Sequence, residues 1–232
     1  MTLTIGTGPF GQSPAGRFNF SPPEEVSYLE DWPRWMRARL GGETVADSRR
    51  AKLLHRSDAL PVLLFPESDV RLELVPNAAV TRHEDLVELD WQAMDEWLEE
   101  DEVAFGHVRD PFHRLDARPT SRHVRVSLNG EVLAESGRTV ALFETGLPTR
   151  WYFPPEDVRE DLLRPSGTRT VCAYKGHART FSAAGADDVA WTYDEPEHEF
   201  PSIRGRVAFY NEVVDVELDG EPQERPRTRF KD

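Results

Sequence analysis

The sequence predicts a mostly β protein of two domains, the first a truncated copy of the second. Three observations carry this. Residues 40–71 align without a gap on residues 128–159, at an offset of 88. Apolar and polar residues alternate over short runs cut by Gly, Pro and Asn-Gly, which marks short strands and tight turns. The chain has 232 residues, of which 38% are hydrophobic and 10% aromatic, enough to bury a real core.

The repeat shares Leu40, Gly42, Glu43, Ala46, Ser48, Arg50, Phe65, Pro66, Asp69, Val70 and Arg71 with its second copy. In that copy Val124, Val126 and Leu128 alternate with Arg125, Ser127 and Asn129, the period of a half-buried strand. Asn129-Gly130 supplies the two left-handed residues of a hairpin turn, and Glu131–Ala134 returns as partner. Thr139–Phe143 and Trp151–Phe153 are further strands, stopped by Gly146-Leu147-Pro148 and Pro154-Pro155. Glu156–Leu163 has room for one or two helical turns. Arg169–Tyr174 and His177–Ser182 form a second hairpin about Lys175-Gly176. Val189–Tyr193 and stretches of Arg204–Leu218 complete the set.

The first copy breaks off after Arg71 and re-enters at Val87, about 32 residues short, or at Val103 with fewer missing. The resulting division is an extended arm over 1–34, a truncated first repeat over 35–98 and a connector over 99–120. A complete second repeat over 121–221 and a tail over 222–232 follow. Residues 84–102 hold ten Asp or Glu and no Lys or Arg. Trp91, Met94 and Leu98 there fit one face of an amphipathic helix whose acidic side is solvated or meets a partner protein.

A net charge of −14 disfavours nucleic-acid binding, which needs a basic face against phosphate. No apolar run approaches a membrane span of about 20 residues, and the N-terminal residues lack the charged and apolar regions of a signal peptide. The expectation is a soluble cytoplasmic protein with neither nucleic-acid nor membrane partners. Gly-x-Ser-x-Gly, His-Glu-x-x-His and phosphate-loop motifs are absent.

Four blocks of the second repeat, FETGLPTRWYFPPEDV, TVCAYKGHA, AWTYDEPE and RVAFYNEVVDVELDG, resemble the bacterial family called domain of unknown function 427. That family is also labelled nucleotidyltransferase-like. Ala173 stands where the family has Pro, and Trp151 replaces the first Tyr of its Arg-Tyr-Tyr. The first repeat lacks the second and third blocks. The resemblance implies two tandem β-tent-like domains, related to zinc knuckles but metal-free, with a cavity between sheets. The label finds no support in the residues: nucleotidyl transfer needs clustered carboxylates for Mg²⁺ and a Gly-rich phosphate loop.

The candidate site gathers Glu144, Arg150, Tyr152, Cys172, Lys175, Trp191, Tyr193 and Tyr210. Amphipathic aromatics form apolar walls with polar handles. Glu144 interrupts an apolar strand, with Arg150 and Lys175 as candidate partners. Lys175 is one of three Lys against 25 Arg, which hints at a need for an ammonium. About a two-residue turn at Lys175-Gly176, Cys172, Tyr174, His177 and Arg179 share a face, and Cys172 is either a core thiol or one activated by these cations. A small-molecule-binding β domain is the leading reading. An enzyme using Glu144, Lys175 or Cys172 at the same place is the alternative, and a scaffold acting through the acidic stretch, with an exposed Trp91/Trp97 face, is the third. The first repeat carries Arg56 and Leu64 where the second has Glu144 and Tyr152, so one pocket is expected, in the second repeat.

No cofactor motif is present. A zinc site needs four soft or imidazole ligands, and Cys172 is the single cysteine, with His177 and His198 nearby in the chain. Purified protein is therefore expected to hold no stoichiometric zinc by elemental mass spectrometry; about one zinc per chain surviving dialysis would overturn this.

Overall fold

Alternation becomes paired strands in the computed structural model, which describes residues 3–228. The chain divides into two units, Met1–His113 and Arg114–Asp232. The first holds β1 (Ser27–Asp31), β2 (Met36–Leu40), β3 (Glu43–Ser48), β4 (Lys52–Arg56), β5 (Val62–Pro66), β6 (Val80–His83), β7 (Leu86–Leu89), β8 (Glu96–Glu99) and β9 (Glu102–Ala104). They form a five-stranded sheet, β1-β4-β5-β7-β6, and a four-stranded sheet, β3-β2-β8-β9.

The second unit holds β10 (Leu115–Pro119), β11 (Val124–Leu128), β12 (Glu131–Ser136), β13 (Val140–Glu144), β14 (Arg150–Tyr152), β15 (Arg164–Cys172), β16 (Gly176–Ala183), β17 (Ala186–Thr192), β18 (Val207–Phe209), β19 (Asp215–Leu218) and β20 (Glu221–Gln223). Its sheets run β10-β13-β14, β12-β11-β19-β20 and β15-β16-β17-β18. The protein is mostly β. Among the described residues no helix is long and apolar enough to cross a membrane. β1 lies within the stretch read as an extended arm, and β9 and β10 within the one read as a connector.

The hairpins are closed by left-handed turns, Gly41-Gly42 at φ 60° and 82°, and Asn129-Gly130 at φ 52° and 84°. Met36 faces Ser48 and the register slips after Ala38; Val124 faces Ser136 and it slips after Val126. A serine at each hairpin end then ties the sheet to a 3₁₀ turn. Ser48 Oγ donates to Asp69 Oδ2 (2.7 Å) and accepts from the Arg50 backbone N–H (3.0 Å). Ser136 Oγ donates to Asp157 Oδ2 (2.6 Å) and accepts from the Arg138 N–H (3.0 Å). Residues 156–163 form two short 3₁₀ turns, Pro155–Asp157 and Glu160–Leu162.

The helix expected over 84–102 is not there. The stretch runs as β7, one 3₁₀ turn at Trp91–Ala93, β8 and β9. Val87 and Leu89 in β7 and Trp97 and Leu98 in β8 are buried, so sheet pairing wins over a three-residue helical signal. Trp97 is 3% exposed, so no exposed Trp91/Trp97 face forms. Its carboxylates meet arginines across β2: Arg39 Nη1 lies 2.8 Å from Glu96 Oε2, and Arg37 Nη2 2.8 Å from Asp101 Oδ1.

In the second unit, β13 and β14 serve two cores. Ala141, Trp151 and Phe153 face one with Val126, Phe181 and Phe209. Val140, Leu142 and Tyr152 face the other with Ala178, Trp191, Tyr193 and Ala208. This second face positions the candidate site.

Acid stability should report the Ser136–Asp157 tie. The Arg138 guanidinium, then the Ser136 hydroxyl, hold the Asp157 carboxyl below its ordinary range, and burial opposes them less. A depressed folded value gives stability that is complete above the unfolded carboxylate value, about 3.9, and that is lost as pH falls through the folded value. Denaturant titrations from pH 7 to pH 2 are expected to show a shallower acid loss in Asp157→Asn than in wild type. Identical slopes would refute the assignment.

Candidate functional site

A strand buried on both faces has nowhere to send a charge except to a partner. On β13 the side chains alternate, so Glu144 lies on the face of Val140 and Leu142, while Phe143 turns away and is 49% exposed. On β14 Arg150 and Tyr152 share that face. Both charges find partners, and the two partners differ.

Glu144 pairs with Lys175. The β15–β16 register sets Cys172 opposite Gly176, Val171 opposite His177 and Arg169 opposite Arg179. The connection is therefore a three-residue loop, Ala173-Tyr174-Lys175. The Lys175 N–H donates to the Cys172 carbonyl (3.3 Å), and the Lys175 carbonyl accepts from the Glu197 N–H (3.1 Å). Gly176 closes it at φ 97°, where a Cβ would come within 3.4 Å of the Glu195 carbonyl. This geometry suits a turn followed by a left-handed glycine. It turns Lys175 inward, and Nζ reaches Glu144 Oε2 at 2.5 Å, with side chains only 8% and 7% exposed.

That register corrects the face expected from a two-residue turn. Cys172 lies with Thr170 and Ala178, whereas His177 and Arg179 lie on the opposite side with Val171. Arg179 is bonded to Asp194 there (2.7 and 3.0 Å). Cys172 is half-buried. Cys172, His177 and His198 do not assemble a metal site among the described residues, where the one ligand-spaced group is Glu197–His198–Glu199.

Arg150 does not answer Glu144, as the sequence left open. It makes a two-pronged pair with Glu212 (2.7 and 2.6 Å) and reaches Asn211 Oδ1 at 3.3 Å. Burial works against the Glu212 charge, but Arg150 and the Thr228 hydroxyl (2.6 Å) outweigh it and hold the carboxyl below its ordinary range. The Arg150 guanidinium carbon lies 5.6 Å from the ring centres of both Trp191 and Tyr210, within cation–π range.

Between the two pairs stand the aromatics. Tyr152 is fully buried; its hydroxyl oxygen accepts from Trp191 Nε1 at 3.2 Å, and the rings meet edge to face at 6.2 Å. Trp191 and Tyr210 lie 4.4 Å apart. Burial pushes the Tyr152 phenol up to about 12, with Lys175 opposing. Burial, with Tyr152, Cys172 and Glu144 adding to it, drives Tyr193 well above 10. Burial alone would lower Lys175, but the Glu144 carboxylate, then Cys172 and Tyr152, reverse the shift and keep it ammonium. The site thus presents an ammonium, a carboxylate, a neutral phenol and a thiol within apolar walls.

Glu144, Tyr152, Cys172, Lys175 and Tyr193 make one group; Arg150, Trp191 and Tyr210 make a second around Glu212 and Asn211. Those last two were missed, though they directly follow Tyr210 in the chain. Asp188, which accepts from Ser166, Thr168 (2.8 Å) and Thr180 (2.8 Å), carried no spacing signal.

Residues 116–220 match the model of a family described as a domain of unknown function (DUF427), and all eight candidate residues lie inside that match. No curated protein matches the chain.

Removing one partner of a buried pair leaves the other uncompensated, at a cost of about 3–5 kcal/mol, whereas an apolar replacement of both is often neutral or stabilising. Lys175→Met and Glu144→Leu singly are expected to lose that much in denaturant unfolding, and the double variant to recover most of it. A double variant as weak as either single one would show that the pair itself supports the fold.

Proposed function

We propose that the DUF427 domain of the second unit binds a small molecule at the Glu144–Lys175 pair. One observation carries the reading: an ammonium and a carboxylate lie side by side, both less than a tenth exposed, against aromatic side chains. Desolvating two charges opposes folding, and packing alone is served as well by apolar residues. Perturbed charges converging within apolar walls are the usual composition of a binding site. Lys175 and Tyr152 both hold their protons at neutral pH, so each offers a donor to a ligand oxygen. The enzyme alternative uses the same atoms, with Lys175 stabilising negative charge rather than accepting a proton.

We infer further that the two units are copies of one β-tent-like domain. Support comes from pairings that recur 88 residues apart: Ser27–Arg56 and Leu115–Glu144, Lys52–Leu64 and Val140–Tyr152, Ala46–Val70 and Ala134–Val158. Phe65 pairs with Val87, 22 residues on, and Phe153 with Val207, 54 residues on. The difference is the segment carrying Cys172, Lys175 and Trp191. On this reading the first copy keeps the frame and lacks the site.

Native mass spectrometry of protein purified without denaturant tests the site. The wild type is expected to carry a non-covalent small-molecule mass that the Glu144→Leu/Lys175→Met variant has lost. A wild type and a folded double variant with the same bare mass, after incubation in cell extract, would sink the proposal.

A further inference from the structure

A cavity of about 450 Å³ lies in the first unit, where the sequence alone predicts no pocket. Leu63 of β5, Leu89 of β7 and Val108 supply apolar wall. Trp91 and Trp97 supply an aromatic one, stacked with centres 4.5 Å apart and planes within 11°. The stack is held from behind. Trp97 lies 6.0 Å from Phe65 and donates its indole N–H to the Trp91 carbonyl at 3.0 Å. Trp97 is buried, whereas Trp91, stacked on it, is half-buried, and both line the cavity.

The charge of the lining has one sign. Among the described residues no Lys or Arg lines the cavity, and Glu88 and Asp90 do. Glu88 is engaged by His83 (2.8 Å) and Arg56 (3.7 Å). Asp90 Oδ1 accepts the backbone N–H of Gln92 (3.0 Å), and among the described residues it has no cationic partner. His107, also on the lining, directs Nδ1 at the Val108 carbonyl oxygen (2.7 Å). An indole face beside a carboxylate without a cation attracts an organic cation through the ring quadrupole and Coulomb's law together. An anion meets repulsion, and a hard metal ion needs a shell of oxygens that stacked indoles do not provide.

We propose that the first unit binds a small organic ammonium ion, its alkyl groups against Trp91 and its charge balanced by Asp90. The second unit supplies the contrast. Its cleft of about 420 Å³ is lined by Arg118 and Arg122 as well as by the acid Glu224, and Trp151 is the single indole among its described lining residues. The proposal is independent of the Glu144–Lys175 site, which lies in the other unit.

The test is calorimetric titration of the full chain with choline, with 3,3-dimethyl-1-butanol as its neutral isostere. Choline is expected to saturate one site per chain and the isostere to bind about tenfold more weakly or not at all. Asp90→Asn keeps the acceptor for the Gln92 N–H, and Trp91→Phe keeps a stacking ring. Each is expected to weaken choline about three- to tenfold with an unchanged melting temperature. Glu144→Leu/Lys175→Met is expected to bind choline as wild type does. Absence of saturable choline binding, equal binding of the isostere, or wild-type affinity in both first-unit variants overturns the proposal.

Discussion

Strands β13 and β14 are buried on both faces except at the β13 end, where Phe143 is exposed, and the second unit is organised by that constraint. A strand alternates its side chains, so two-sided burial demands apolar residues at nearly every position. Ala141, Trp151 and Phe153 satisfy one core and Val140, Leu142 and Tyr152 the other. A charge on such strands reaches water only at a strand end. Glu144 and Arg150 sit at those ends, facing inward, and each is answered by a residue brought from afar: Lys175 across 31 positions and Glu212 across 62. The chemistry of the candidate site is a consequence of how those two charges are neutralised.

In the first unit, strand pairings 88 positions earlier are buried differently. Leu54, Leu64 and Leu86 form a small apolar cluster of their own, with Val62 against it. Leu54 and Leu64 lie 88 positions before Leu142 and Tyr152, so a face that meets aromatics and a hairpin layer in the second unit is closed by leucines in the first. Arg56, at the counterpart of Glu144, is a surface-side cation near Glu88 at 3.7 Å. The buried pair and the layer that buries it are therefore found in the same unit. An isolated Glu144 counterpart without that layer would sit in water and need no partner.

The acidic stretch is resolved by the same logic. Laid out as β7, β8 and β9 it buries Leu86, Val87, Leu89, Trp97 and Leu98, and its Glu96 and Asp101 meet Arg39 and Arg37 of β2. Exposed pairs of this kind contribute little stability. They do remove the single-signed face that a helix would have displayed, and leave Asp90, at a turn rather than in a ladder, as the acid beside the Trp91 stack.

By itself the sequence determined the mostly β class, most strands of the second unit, the left-handed turn at Asn129-Gly130 and the related segments 40–71 and 128–159. These are local properties: period-two alternation, turn chemistry and pairwise identity need no knowledge of the rest of the chain. Tertiary structure alone decided which residues meet. The loop before Gly176 is three residues because it packs on residues 195–197, and that one-residue change moves Cys172 away from His177 and turns Lys175 toward Glu144. Residues 84–102 became strands because β2 and β5 offered edges to pair with, a partner invisible to helical periodicity. Register and partner choice depend on contacts between distant segments, so they become fixed only when the sheets assemble.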